Sequence, residues 1–315
     1  MDKIVRESFF RLWLPLLSSV VAAGSIEVQA AAPAAQSGTS ETRQWTASES
    51  IPSLEAAARK GDAAAQYELA RRLVHGQGVA TDKERALQLL KASAGQQFSA
   101  AEYELAREFR GIGGGTRDPQ KSLSYLQQSA SHGYMPAQVD LAFAYFNGND
   151  QVHKDLIQSR TWFEKAAQGD SVIAQCMLGD FYKQGLGGLH QDADAAFKWY
   201  KRAAPRADRC APKAQYELYL GYETGNGVRK NKKLAIDWLK KAAEGNNPAA
   251  QRTLGRHYER GDGVPRDPEL AVFWQRKSRE GVAPHDDHLH DEDEHDHEHA
   301  PERKTAVKAP AGSSP

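Results

Sequence analysis

A block of about 36 residues recurs six times through the middle of this 315-residue chain, and that repetition narrows the fold more than any other feature. Its register is marked by Gln66, Glu102, Gln138, Gln175, Gln215 and Gln251, spaced by 36, 36, 37, 40 and 36 residues. Three positions after each mark stands a leucine: Leu69, Leu105, Leu141, Leu178, Leu218 and Leu254. Seven positions after it stand Leu73, Phe109, Tyr145, Tyr182, Tyr222 and Tyr258. Offsets of three, four and seven put apolar residues on one helix face. The fourth position is mostly small (Ala70, Ala106, Ala142, Gly179, Gly255), which lets helices approach closely, although Tyr219 departs.

Ten positions on, Gly76, Gly148, Gly185, Gly225 and Gly261 recur, with Ile112 the exception. Glycine at that point ends a helix in a left-handed turn. Asp82, Asp118 and Asp267 then stand where a second helix begins and cap its free N–H groups, with Pro119 and Pro268 at the favoured first helical position. The second helix carries a bulky column of Leu89, Tyr125, Trp162, Trp199, Trp238 and Trp274, read as core rather than as a ligand cage. Repeats three and four need one extra loop residue to align. Each unit is therefore helix–glycine turn–helix between about Ala63 and Gly281, with Ile51 to Lys60 as a capping helix. One unit alone cannot bury both apolar stripes, so neighbours must stack. The expected fold is all-α: a right-handed α/α superhelical solenoid of about six repeats with a concave face.

Ala65-Gln66-Tyr67-Glu68-Leu69, Gly225-Asn226-Gly227-Val228 and Trp238-Leu239-Lys240-Lys241-Ala242-Ala243-Glu244-Gly245 resemble the Sel1-like repeat, a relative of the tetratricopeptide repeat. The sixth unit, Ala250 to Gly255 continuing through Gly261-Asp262-Gly263-Val264-Pro265-Arg266-Asp267, carries the pattern most fully, whereas the third has Asn147-Gly148-Asn149-Asp150 in place of the usual turn. The resemblance implies an adaptor that brings proteins together. Exported bacterial members are similar to assembly factors for envelope machines and exopolysaccharide secretion, to signalling regulators and to immunity proteins for secreted toxins. A cysteine-rich group in the same family bridges every repeat, which two cysteines do not allow here.

The flanks set the compartment. Lys3, Arg6 and Arg11 precede an uncharged stretch from Leu12 to Ile26, too short to span a bilayer as a helix. Val28-Gln29-Ala30 then offers the small residues of a cleavage site before Ala31. The alternative is an uncleaved anchor. No cysteine lies near that site, so no lipid anchor is expected. The resulting division is a Sec-type signal peptide at 1–30, a flexible linker at 31–50, the solenoid at 51–283 and a His/Asp/Glu-rich tail at 284–315, in a periplasmic or secreted protein with no stable membrane span after cleavage.

Binding is expected on first-helix positions outside the leucine/aromatic stripe, facing the groove. The candidates are Glu68, Arg71, Arg72, Glu104, Arg107, Glu108, Asp140, Asp180, Glu217, Arg256 and His257, some of which also suit plain helix-surface pairing, as Glu68 and Arg72 do. In an exported protein, Cys176 and Cys210, one repeat apart, suit a disulfide across adjoining helices; the alternative is a buried Cys176 and a free Cys210. Between His285 and His299 stand six histidines, eight carboxylates and one leucine, a segment with almost nothing to bury. His285, His288, His290, His295, His297 and His299 offer imidazoles for loosely held Zn, Ni or Cu, against the plainer alternative of an acidic solubilising tail.

No serine-hydrolase elbow, His-Glu-x-x-His, P-loop or Ser-x-x-Lys pattern occurs, so no enzyme and no required cofactor are expected. The formal net charge of zero argues against a nucleic-acid binder. It conceals two opposed parts: from His285 onward nine acidic side chains face three basic ones, leaving the rest of the chain with an equal and opposite positive balance. The function expected is a periplasmic protein–protein interaction scaffold for other proteins of unknown identity, with metal buffering or delivery through the tail as the alternative.

Overall fold

The computed structural model describes residue 45 and residues 49–111, 117–206 and 208–280, all within a unit that begins at Gln44. Among these residues there are thirteen α-helices and no strand. A capping helix α1 (Ile51–Arg59) is followed by six helix pairs. The first helices are α2 (Ala63–His75), α4 (Ser99–Arg110), α6 (Met135–Asn147), α8 (Val172–Gln184), α10 (Ala211–Thr224) and α12 (Pro248–Arg260). The second helices are α3 (Lys83–Ala94), α5 (Pro119–Ser131), α7 (Leu156–Gln168), α9 (Ala193–Ala203), α11 (Lys232–Glu244) and α13 (Pro268–Glu280). Helices pack mainly on their chain neighbours, more extensively within a repeat than between repeats. This nearest-neighbour pattern defines a solenoid.

The leucine column forms the spine of that packing. Leu69, Leu105, Leu141, Leu178, Leu218 and Leu254 are all at most 1% exposed. The bulky second-helix column is half-buried against the same clusters, and a cation lies over several of its rings: Lys165 is 3.8 Å from the Trp162 centroid and Lys241 is 4.4 Å from that of Trp238. Small residues at the fourth position are required sterically, since a Cβ on Gly179 would stand 2.5 Å from the Tyr200 ring.

Every second helix begins with a capped side chain: Asp82, Asp118, Asp155, Asp192, Asn231 and Asp267 each accept a bond from a backbone N–H at the helix start. The same six residues donate their own backbone N–H to the carbonyl of Leu73, Phe109, Tyr145, Tyr182, Tyr222 and Tyr258, at 2.8–3.0 Å. The cap residue thus closes the turn back onto the first helix in every repeat. Three of the six caps (Asp155, Asp192, Asn231) are not among the sequence-derived ones: one extra loop residue shifts Asp155 and Asp192, whereas Asn231 keeps the register and differs only in being an asparagine in a column of aspartates. In repeat two the helix ends at Gly111 (φ 85°), one residue before Ile112, so the exception in the glycine column is a one-residue shortening of α4.

The marking glutamine has a structural task. Its side-chain amide donates to a last-turn carbonyl of the preceding second helix: Gln66 to Ala58, Gln138 to Ala130 and Gln251 to Ala243, each eight residues back. That bond joins consecutive repeats. The linker expectation for 31–50 is corrected at its end: Trp45 packs against the first hydrophobic cluster, and the Glu49 carbonyl accepts from Arg72 at 2.7 Å. A half-buried indole and a 2.7 Å bond hold this stretch on α2.

Candidate protein-binding face

The first helices present a face on which residues one and two positions after the marking residue meet across repeats. Tyr103 on α4 donates its hydroxyl to Asp140 Oδ2 on α6 at 3.0 Å, and Arg110 reaches the same oxygen at 3.2 Å. The Tyr216 hydroxyl on α10 lies 3.3 Å from Thr253 Oγ1 on α12. Between α8 and α10 the link is ionic: Lys213 pairs with Asp180, and Lys183 holds both oxygens of Glu217 at 2.8 Å. Asp180 also accepts from the Tyr200 hydroxyl at 2.7 Å. Burial, followed by a nearby carboxylate, raises the phenols of Tyr67, Tyr103 and Tyr200 far above their ordinary range. Tyr219 is pushed up to about 12, by burial first and then by Glu223.

Three of the expected groove residues are not available for a partner, which corrects their reading as exposed positions. Glu68 is 8% exposed and grips Arg71 at 3.1 Å and Arg72 at 3.0 Å. Arg72 is 5% exposed, because its guanidinium is used up between Glu68 and the Glu49 carbonyl. His257 is 8% exposed: Nδ1 lies 2.6 Å from the Asp262 carbonyl, which only accepts, so the proton belongs on Nδ1. In the neutral ring Nε2 then accepts from the Tyr219 hydroxyl at 3.2 Å. Buried charge and imidazole at these positions serve helix packing, since burial is tolerated only with partners.

The remaining candidates are distributed as follows. Arg71, Glu104, Arg107, Glu108, Asp140, Asp180 and Glu217 are half-buried, and Arg256 is exposed. Asp140, Asp180 and Glu217 belong to the cross-repeat links described above. Glu104 and Arg107 approach one another along α4 at 3.5 Å. Sequence reasoning missed their partners Arg110, Lys183, Lys213 and Tyr103. The available signal was the tyrosine column Tyr67, Tyr103 and Tyr216, which looks apolar until its hydroxyls find acceptors.

At the centre of the face the chemistry changes. Repeats three and four put Val139, Phe143 and Met177 at register positions where repeat two carries Tyr103, Arg107 and Glu104 and repeat five carries Tyr216, Leu220 and Glu217. Val139 is buried, Phe143 and Met177 are half-buried, and Met135 and Ile173 on the same two helices are 37% and 36% exposed. Helix α6 has no basic residue and one acidic one. At the centre of the face, apolar side chains thus stand among the paired Asp140, Asp180 and Lys183.

Cys176 and Cys210 are joined in a disulfide, their Cα atoms 6.5 Å apart. Cys176 occupies the register position of Tyr67, Tyr103 and Tyr216, so the bridge makes covalently the cross-repeat reach that tyrosine makes elsewhere. It anchors the stretched junction before α10. The six tail histidines lie outside the described residues. Among the described residues no group of three or more His, Cys, Asp or Glu side chains is placed to hold a metal, and no helix is long and apolar enough to cross a membrane.

The Sel1 repeat family model matches residues 63–97, 99–134, 136–171, 172–204, 212–247 and 248–280. The chain belongs to the Sel1 repeat family. Each match covers one helix pair, and residues 205–211, tied down by the disulfide, fall between two matches. Sel1 repeats mediate protein–protein interaction. Among solved structures it is similar to c5321, a protective antigen of uropathogenic Escherichia coli, at 30% identity and a TM-score of 0.64, over 72% of this chain and 48% of that one. The chain thus spans about half the length of that antigen. A Sel1 repeat protein from Oxalobacter formigenes shares the fold at 23% identity and a TM-score of 0.57, over 70% of this chain and 86% of that one. The comparison with curated proteins found no match.

Proposed function

We infer that this chain is an exported adaptor of the bacterial periplasm that grips a partner protein along the first-helix face. The observation carrying this reading is the group of partly exposed apolar side chains at the centre of that face, Phe143 and Met177 with Met135 and Ile173, among paired charges. An apolar core within a polar rim is the usual anatomy of a protein interface. Export is supported by the basic start and short apolar stretch at Lys3 to Ile26, and by a disulfide, which persists in oxidising compartments. Adaptor roles in envelope assembly, signalling or toxin immunity all need such a face.

A photo-crosslinking residue at Met177, compared in living cells with one at exposed Asp237 on a second helix, tests the reading. A discrete adduct from position 177 and none from 237 supports it. No adduct at 177, or equal adducts at both, overturns it.

The six imidazoles within 285–299 favour a second reading, a loosely selective store for Zn, Ni or Cu. Zinc titration of the intact chain, against a chain with those six histidines changed to asparagine, checks it. Equal binding by both removes the tail from any metal role.

A further inference from the structure

The last repeat breaks the pattern at the surface where a following repeat would stack. In repeats one to five, the position after the bulky column is Leu90, Leu126, Phe163, Tyr200 and Leu239, and four residues later stand Ala94, Ala130, Ala167, Ala204 and Ala243. All ten are buried. The corresponding residues of repeat six are Gln275 and Arg279. On α12, Arg252 takes the place held by tyrosine in repeats one, two and five, and Arg256 follows one turn later.

Arg252, Arg256, Gln275, Ser278 and Arg279 line an open cleft of about 640 Å³ between α12 and α13. Among the described residues no carboxylate lines it. Among the described residues none of the three arginines has a hydrogen-bond or ion-pair partner, and all three are exposed. Solenoid ends need a polar face, but polarity alone does not call for three convergent like charges. Arg252 and Arg256, four apart on one helix, repel one another. An anionic occupant would reverse that repulsion and find three guanidinium forks that match carboxylates in pairs.

The chain itself supplies such an occupant. It leaves this end of the solenoid at Glu280, and Asp286 to Glu298 then carries eight carboxylates and no Lys or Arg. Five residues separate Glu280 from Asp286, six chain steps with a reach of roughly 20 Å when extended. Tethering over so short a span gives an effective concentration of the order of millimolar, enough for weak individual ion pairs to hold.

We propose that the acidic segment Asp286–Glu298 docks in cis on the Arg252/Arg256/Arg279 cleft and covers the open C-terminal end of the solenoid. The docked segment neutralises the cleft and denies that end to a second copy or to an acidic partner. The cleft takes in Arg252 and Arg256 at the C-terminal end of the first-helix face but none of its apolar centre, so failure of either reading leaves the other standing.

The intact chain, isotope-labelled and carrying a nitroxide at His295→Cys with the native disulfide closed, provides the test. Amide signals of Arg252–Arg256 and Gln275–Arg279 are expected to lose intensity several-fold at low salt. They should recover near 1 M salt, where the Debye length falls to about 3 Å. They should also recover in the R252Q/R256Q/R279Q variant, whose exposed positions leave the fold intact, as checked by its amide spectrum. A second variant, with Asp291, Glu292, Asp293 and Glu294 changed to Asn or Gln, should recover the signals without touching the solenoid. Unattenuated signals in the intact chain, or attenuation that survives both charge removals, overturn the proposal. Mixing nitroxide-bearing unlabelled chain with isotope-labelled chain lacking the nitroxide distinguishes the occupant: attenuation there assigns the cleft to a second copy and overturns docking in cis.

Discussion

Between α5 and α6, repeat two is joined to repeat three by the Gln138 amide on the Ala130 carbonyl and by Tyr103 and Arg110 on Asp140. Between α9 and α10 the connection is longer, and the equivalent glutamine, Gln215, reaches back eleven residues to the Ala204 carbonyl at 2.8 Å. There the tyrosine is replaced by the Cys176–Cys210 bridge, with Lys213–Asp180 and Lys183–Glu217 beside it. A regular joint is held by side chains whose spacing the repeat fixes. A stretched joint loses that spacing and takes a covalent tie and cross-repeat ion pairs instead.

Alkali should weaken both regions, because each leans on a protonated phenol: Tyr103 across the regular joint, and Tyr200 on Asp180 within repeat four, beside the stretched one. Tyr103 and Tyr200 each donate to an aspartate, and burial together with that carboxylate holds their pKa above the usual value of about 10. A raised tyrosine pKa means the folded chain keeps a proton that the unfolded chain gives up. Stability is therefore fully present below pH about 10 and falls as pH rises beyond it. Helicity and tyrosinate absorbance should change together, in one transition above that pH. Two separate transitions would show that the joints respond to different groups.

Next in size is Gly227→Ala, at the stretched joint. Gly227 has φ +74°, and a Cβ there would overlap the carbonyl oxygen of Ala193 at the start of α9. Gly78, its counterpart in repeat one, has φ +70° but only Ile51 atoms 3.8 Å or more away. Denaturant melts should show a loss of about 3–5 kcal/mol for Gly227→Ala and about 1–2 kcal/mol for Gly78→Ala, since only the first adds overlap to left-handed strain. Equal losses would mean that backbone conformation alone sets both.

Opening the bridge with Cys176→Ala and Cys210→Ala should destabilise the chain by about 2–4 kcal/mol. Amide exchange should accelerate first in α9 and α10 and leave α5 and α6 protected; uniform acceleration would deny the bridge a local role. The smallest effects belong to the glutamines. Gln138→Ala and Gln215→Ala should each lose about 1 kcal/mol by deleting a hydrogen bond between repeats. A clearly smaller loss for Gln215 would show that the bridge has taken over its task.

Much of the fold was legible along the chain. Helix pairs, turns and core columns depend on offsets of three, four, seven and ten residues, and neighbours in sequence set those offsets. The capping helix, the six leucines and five of the six turn glycines followed directly. Asp155 and Asp192 escaped notice because one inserted loop residue moves a cap out of its column, and Asn231 because its column is otherwise aspartate. The candidate face was legible only in outline. Glu68, Arg72 and His257 have the composition of exposed residues and are buried, because their partners Glu49, Tyr219 and Asp262 are supplied by the chain flank, the adjacent repeat and the next turn. The apolar centre was passed over because Val139, Phe143 and Met177 look like ordinary core.

The sequence by itself determined the repeat, its register, the all-α class and the contrast between a positively charged body and an acidic, histidine-rich tail. Local hydrogen bonds and periodic burial act within one repeat length, so they can be read in order along the chain. Only the tertiary structure decided which charges pair, that Cys176 faces Cys210, and that three arginines converge without an acid at the last repeat. Those contacts join residues on different helices, often a full repeat apart. The stacking of one repeat on the next sets that geometry, and no spacing within a repeat encodes it.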